Sequence, residues 1–338
     1  MEPGLALVKI PPIAHHEAMH PTTSSRLDWP LFILLGFFWG SSYLFIKIGV
    51  DAGLQPFTLV SLRLLIGLAL LAVVVGMARE SLPRDPTMYG HLAVLGFFSV
   101  ALPFTLITWA EQSVDSGLAA VLTGAVPLFV IPIAALFLRD ERVTVNKVIG
   151  IGVGLIGVAI VVGFDPAVLA GNDVIPQLAL IGAAASYAIG VVYARRSVHG
   201  LRPMIPALFQ VGFGLLMVTI PAVVLEGPIR LAVQPEALFA VVWLGLLGSG
   251  AAYLIFFRLL GRWGATRTTL VAYLLPVWGI VLGAIVLQEP VDIRLVLGTA
   301  LVIGGIALVN LRRGLRPMFG RRRTDGGATQ TDDERAPA

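Results

Sequence analysis

Two cations stand inside stretches of the chain that are otherwise almost wholly apolar. Lys47 closes the run WPLFILLGFFWGSSYLFIK, and Arg63 lies seven residues past Pro56 in PFTLVSLRLLIGLALL. At 1.5 Å per residue, Arg63 sits about 10 Å along a helix begun at Pro56. A guanidinium in hydrocarbon has no water to bond, and near a helix centre it costs at least about 2.5–3.5 kcal/mol. A group held at that cost faces a polar cavity, the carbonyls of a broken helix, or a ligand. The chemistry that an arginine offers there is two-pronged capture of an anion such as a carboxylate. Lys47 either lines the same cavity or extends its ammonium to the nearby surface. Gly36, Gly40, Tyr43 and Lys47 are spaced 4, 3 and 4 and form one helical stripe, with Trp39 to one side.

The other polar residues divide by position. Glu111, Asp115, Asp140, Glu141, Glu226, Glu289 and Asp292 all fall at the ends of apolar runs. That placement disfavours proton exchange through a carboxylate in mid-membrane, and Glu141 and Glu289 are expected to cap or lock loops. Tyr43, Tyr187, Tyr253 and Tyr273 lie within runs, where a buried hydroxyl needs a partner, and Trp39 and Trp109 join them as cavity candidates. Gln210 is the strongest neutral candidate, with Ser42, Thr105, Thr123 and Ser186 as further donors or as contacts between helices. The candidate substrate-binding set is therefore Trp39, Tyr43, Lys47, Arg63, Trp109, Tyr187, Gln210, Tyr253 and Tyr273.

Two motif matches carry less weight. His16-Glu17-Ala18-Met19-His20 has the zinc-protease spacing, but it lies in a polar tail between Pro12 and Pro21, where the stable helix, third ligand and packed pocket are wanting. Gly152-Val153-Gly154-Leu155-Ile156-Gly157 matches the dinucleotide fingerprint, yet that motif needs a strand-to-helix turn facing water. Inside an uninterrupted apolar run it reads as small residues that let helices approach closely. No catalytic residue, metal or cofactor is expected.

The elements that position these residues follow from composition. Hydrophobic residues make up 57% of the 338 and charged ones 13%, too few charges to cover a soluble globule of this size. The absence of cysteine excludes a disulfide scaffold and a thiolate metal site. Ten apolar spans are expected, at 29–49, 56–77, 90–110, 116–138, 145–164, 177–194, 204–224, 237–257, 266–288 and 293–311. Continuous runs such as LVLGTALVIGGIALV exclude the alternation of a membrane barrel, and backbone polar groups in lipid then require helix. Of 24 lysines and arginines, 20 fall in tails and loops on one side, two (Arg230 and Arg294) on the other, and Lys47 and Arg63 within spans. This asymmetry places both termini in the cytoplasm. It also assigns the basic excess to membrane edges rather than to nucleic acid.

The chain repeats itself. Leu95-Gly96 recurs as Leu244-Gly245 and Pro127 as Pro276, each 149 residues on. Gly150, Gly157 and Ala159 recur as Gly298, Gly305 and Ala307, Pro56 and Arg63 align with Pro203 and Gln210, and Ser42-Tyr43 aligns with Ser186-Tyr187. Each half holds five spans, so the second must enter the membrane inverted, an architecture that puts a substrate site at the interface of the halves.

With WGSSYLFIK (39–47), PLFVIPIAALFLRDERVT (127–144), GAAASYAIGVVYARR (182–196), LGLLGSGAAYLIFFRLL (244–260) and PVWGIVLGAIVLQEPV (276–291), the sequence resembles the ten-helix drug/metabolite transporter superfamily, EamA type, over residues 29–311. One departure is that Arg139-Asp140-Glu141 is a residue longer than Leu287-Gln288-Glu289. The resemblance implies an all-α integral membrane fold of two inverted five-helix repeats, 29–164 and 177–311, between a tail at 1–28 and a basic tail at 312–338. It also implies a carrier working by alternating access. The expected function is export of a small metabolite, an amino acid or another carboxylate-bearing compound, across an inner or plasma membrane. The partners are the substrate and the bilayer, with the chain acting as a monomer or homodimer. A membrane-embedded enzyme using the tail motif and a lipid-carrier flippase are the alternatives.

Overall fold

In the computed structural model, residues 27–138, 144–163, 174–198, 201–228, 234–263 and 268–310 are described. The histidine-containing tail segment, Glu141 and the basic C-terminal tail lie outside them.

Among the described residues, eight helical stretches are long and apolar enough to cross a membrane: α1 (Asp28–Asp51), α2 (Pro56–Met77), α3 (Pro86–Ala110), α4 (Ser116–Phe137), α5 (Val145–Val162), α6 (Val174–Ser197), α7 (Met204–Glu226) and α8 (Pro235–Phe256). Two shorter apolar helices, α9 (Leu270–Val286) and α10 (Ile293–Val309), complete the bundle. The described residues form helices and no strand, arranged as two repeats of five. Helix α3 starts four residues before the expected span because Asp85 accepts the Thr87 N–H at 2.9 Å and Pro86 occupies the first turn, where its missing N–H costs nothing.

The repeat is visible in how helices touch. A Cβ at Gly245 of α8 would lie 3.1 Å from the Arg63 carbonyl of α2, and a Cβ at Gly96 of α3 would lie 3.0 Å from the Gln210 carbonyl of α7. Equivalent glycines thus hold equivalent crossings between the halves. The same segments of α3 and α8 widen into π-helix, Phe97–Ala101 and Leu244–Ala251, a form of helix common at functional sites.

At one edge α5 packs on α10. A Cβ at Gly157 would meet the Gly298 carbonyl at 2.7 Å, and one at Gly305 would meet the Gly150 carbonyl at 2.6 Å. The dinucleotide-like glycines therefore serve backbone contact between helices, except Gly152, whose Cβ would meet nothing within 4 Å. The stripe on α1 has a similar purpose at its start. Cβ atoms at Gly36 and Gly40 would run into Leu274 and Trp278 of α9, so these glycines let α1 cross the second half.

A buried arginine between the halves

Arg63 is 3% exposed and lies where α2 meets the π-helical turn of α8. Its Nε donates to Ser249 Oγ at 3.2 Å, and its guanidinium carbon stands 4.3 Å over the centre of the Phe104 ring. A Cβ at Gly248 would lie 2.8 Å from Ser42 Oγ and 3.4 Å from an Arg63 Nη2, so glycine leaves the guanidinium its room. No carboxylate is paired with it among the described residues. Tyr187, Tyr253, Glu111 and Tyr43 are close enough to act on its charge. Tyr43 shares a 2.7 Å hydrogen bond with Thr123 of α4, and Tyr187 meets Phe104 edge-on at 6.5 Å. Among the described residues this cation has one hydroxyl partner, Ser249, and one aromatic face, Phe104, on the boundary between repeats. It is suited to an anionic group.

The remaining candidates are distributed around it. Trp39 packs on Tyr253 and Phe256 at 6.1 and 5.4 Å. Gln210 is 7% exposed at the crossing of α7 with α3. Tyr273 ends the 3-10 turn Thr269–Tyr273 that opens α9 and packs on the main core. Trp109 is 41% exposed and, with Gln55, Phe57, Thr105, Gln112 and Glu226, lines a cleft of about 470 Å³ away from Arg63. Lys47 turns to the end of the bundle: its ammonium binds Asp51 at 2.8 Å and the Glu111 carbonyl at 3.1 Å.

Phe104 and Ser249 escape a reading of the sequence, since a phenylalanine and a serine in an apolar run give no signal. The repeat holds a clue for the first, because Phe104 stands 149 residues before Tyr253. Glu111 also differs from expectation. It follows a helix end, yet it is wholly buried.

The end of the bundle bearing Asp51, Glu111, Asp115, Glu226 and Glu289, here termed the carboxylate end, is tied across the halves. Glu289 accepts the Ser116 N–H at 2.7 Å, and the Gly117 N–H and Ser116 Oγ at 3.0 Å each. Glu226 accepts the Phe57 N–H at 2.8 Å, and both the N–H and Oγ1 of Thr58 at 2.7 Å. Each carboxylate thus occupies the start of a first-half helix, where unpaired amides and the helix dipole favour negative charge. Gln288 takes a left-handed φ of 56°, which turns the chain so that Glu289 faces Ser116. At the opposite end, Glu80 follows Arg79, also left-handed at φ 51°, and pairs with Arg202 at 3.0 Å. Asp28 pairs with Arg262 at 3.4 Å.

A multi-pass bundle of two inverted five-helix repeats, with a polar, positively charged point at their interface, is the architecture of a membrane transporter. The model of the EamA-like transporter family matches residues 29–163 and again 175–311, and the chain belongs to that family. Among its relatives, an uncharacterized transporter of Archaeoglobus fulgidus is 28% identical over 84% of this chain and 99% of its own length. The uncharacterized inner membrane transporter YedA of Escherichia coli K12 is 29% identical over 82% of this chain and 89% of its own. A probable terminal-alkyne amino-acid exporter of Streptantibioticus cattleyicolor is 29% identical over 88% and 96%. A crystal structure 23% identical to this chain shares its fold, with a TM-score of 0.58 over 84% of this chain and 96% of that one.

Proposed function

We propose that the protein is a secondary carrier that exports a small carboxylate-bearing metabolite, of which amino acids are the leading class, by alternating access. Both termini face the cytoplasm and the carboxylate end faces outward, following the asymmetry of basic residues. The observation that carries the reading is Arg63: buried, at the repeat interface, and without a carboxylate partner among the described residues. The substrate's anionic group supplies that partner. The amino-acid exporter among the relatives is consistent with this class. Around Arg63 the side chains offer hydroxyls and an aromatic face, with Glu111 acting on it only through space, which favours anions over lipophilic cations. Tyr43, Tyr187 and Tyr253 complete the site, Gln210 and Trp39 border it, and Tyr273, Trp109 and Lys47 act nearer its exits.

The test is efflux of radiolabelled amino acids from proteoliposomes at equal protein. A hydrogen bond to a charged group contributes about 1.5–3 kcal/mol, so Arg63→Gln should slow efflux roughly 10- to 100-fold at 1.4 kcal/mol per decade. Arg63→Lys keeps charge but loses the planar fork and should retain part of the activity. Wild-type rates in the Gln variant refute the assignment.

A further inference from the structure

Glu111 sits one residue beyond α3, is fully buried, and has no hydrogen-bond partner for either carboxylate oxygen among the described residues. Charged groups face it from several elements. Lys47 of α1 is near, but its ammonium binds the Glu111 main-chain carbonyl and Asp51 rather than the Glu111 carboxylate. Arg63 of α2, Asp51 of α1 and Glu289 beyond α9 act on it through space, and Asp115 follows four residues along its own loop. Arg63 Nε is held by Ser249. An ionised carboxylate without donors in a dry site is costly, and a buried acid escapes that cost by keeping its proton. Burial first, then the neighbouring Glu289, pushes the Glu111 carboxyl well above the ordinary carboxylate range, against the pull of Lys47 and Arg63.

We propose that Glu111 is a proton-binding site of the carrier: it holds a proton while the carboxylate end is closed and gives it up when that end opens, coupling transport to proton exchange. On opening, water reaches the carboxyl, its O–H bond breaks, and the proton passes to water. The Lys47 ammonium, already on the same residue's carbonyl, then balances the carboxylate. On closing, a proton from solution restores the neutral acid. The coupling rests on the carrier reading above, whereas the proton site itself does not.

Two measurements on the full chain in lipid vesicles test this. The first is infrared spectroscopy across mildly acidic to alkaline pH. The C=O stretch of a protonated carboxylic acid should persist at neutral pH, fade on alkalinisation, shift in Glu111→Asp and vanish in Glu111→Gln. Gln has the shape of the protonated acid, so the fold accommodates it. A wild type without that band at neutral pH, or a Gln variant that keeps it, overturns the proposal. The second is accumulation of radiolabelled amino acids under an imposed pH gradient, which Glu111→Gln should lower at least tenfold. Wild-type accumulation in the Gln variant also overturns the proposal. A wild type that moves no amino acid at all refutes the substrate class of the preceding subsection, and the infrared result then decides Glu111 alone.

Discussion

Removing the Glu289 carboxylate should open the carboxylate end. The side chain accepts two N–H groups and one hydroxyl at 2.7 to 3.0 Å, all from the start of α4 in the opposite half. Each such bond to a charged acceptor is worth about 1.5–3 kcal/mol. The three share one carboxylate that is partly exposed, and water replaces it once the halves part, so a single increment is the fair value for the whole contact. At 1.4 kcal/mol per decade this raises the open population roughly 10- to 100-fold. The chain has no cysteine, so one introduced thiol reports without background. Ser42→Cys is a near-isosteric choice: Ser42 is 8% exposed and borders Gly248 beside Arg63. Alkylation of intact cells by a membrane-impermeant thiol reagent should be faster by that factor in Glu289→Ala, and intermediate in Glu289→Gln, which keeps a neutral acceptor oxygen. An unchanged labelling rate in Glu289→Ala would show that the contact does not hold the end closed.

Gly157→Ala should destabilise the protein by about 1–3 kcal/mol through overpacking against α10, seen as a lower thermal midpoint in detergent. Gly152→Ala, which meets nothing within 4 Å, should not lower the midpoint. Glu111 gives a signed pH effect. Its folded carboxyl holds its proton to higher pH than the unfolded one, which titrates at about 4.3. Its contribution to stability is therefore greatest below that value and falls as pH rises toward the folded midpoint. Melting curves of Glu111→Gln should lose that slope, and an identical slope in both proteins removes Glu111 as its source. A reporter active only in the cytoplasm should work when fused at positions 338 and 141 and fail at 173 and 230, and the reverse pattern inverts the orientation.

The spans were legible because lipid imposes length and apolarity on each helix independently of its neighbours. The inverted halves were legible because matching residues such as Pro127 and Pro276 lie five spans apart, an odd offset. What a single sequence hides is contact between halves. Glu111 reads as a loop residue because its position along the chain is terminal. Only the packing of the halves takes it out of water. Lys47 shows the same ambiguity: its stripe with Tyr43 is correct helical geometry, yet the structure carries the ammonium to Asp51 and the Glu111 carbonyl. Glu289 is readable as a cap or lock of a loop, and Glu226 only as a residue at a span end. Their acceptors' partners, Thr58 and Ser116, lie more than 160 residues away in the chain.

The paired crossings of Gly245 with Arg63 and of Gly96 with Gln210 place a local two-fold axis through the middle of the protein. A cavity on such an axis would accept an elongated ligand equally well either way round. Here the axis is broken at one charge, because the partner of Arg63 under the symmetry is the neutral Gln210. The interface between the halves thereby gains a head and a tail. On the carrier reading proposed above, a carboxylate-bearing substrate would point its anionic group to the first repeat and the rest of its body to the second.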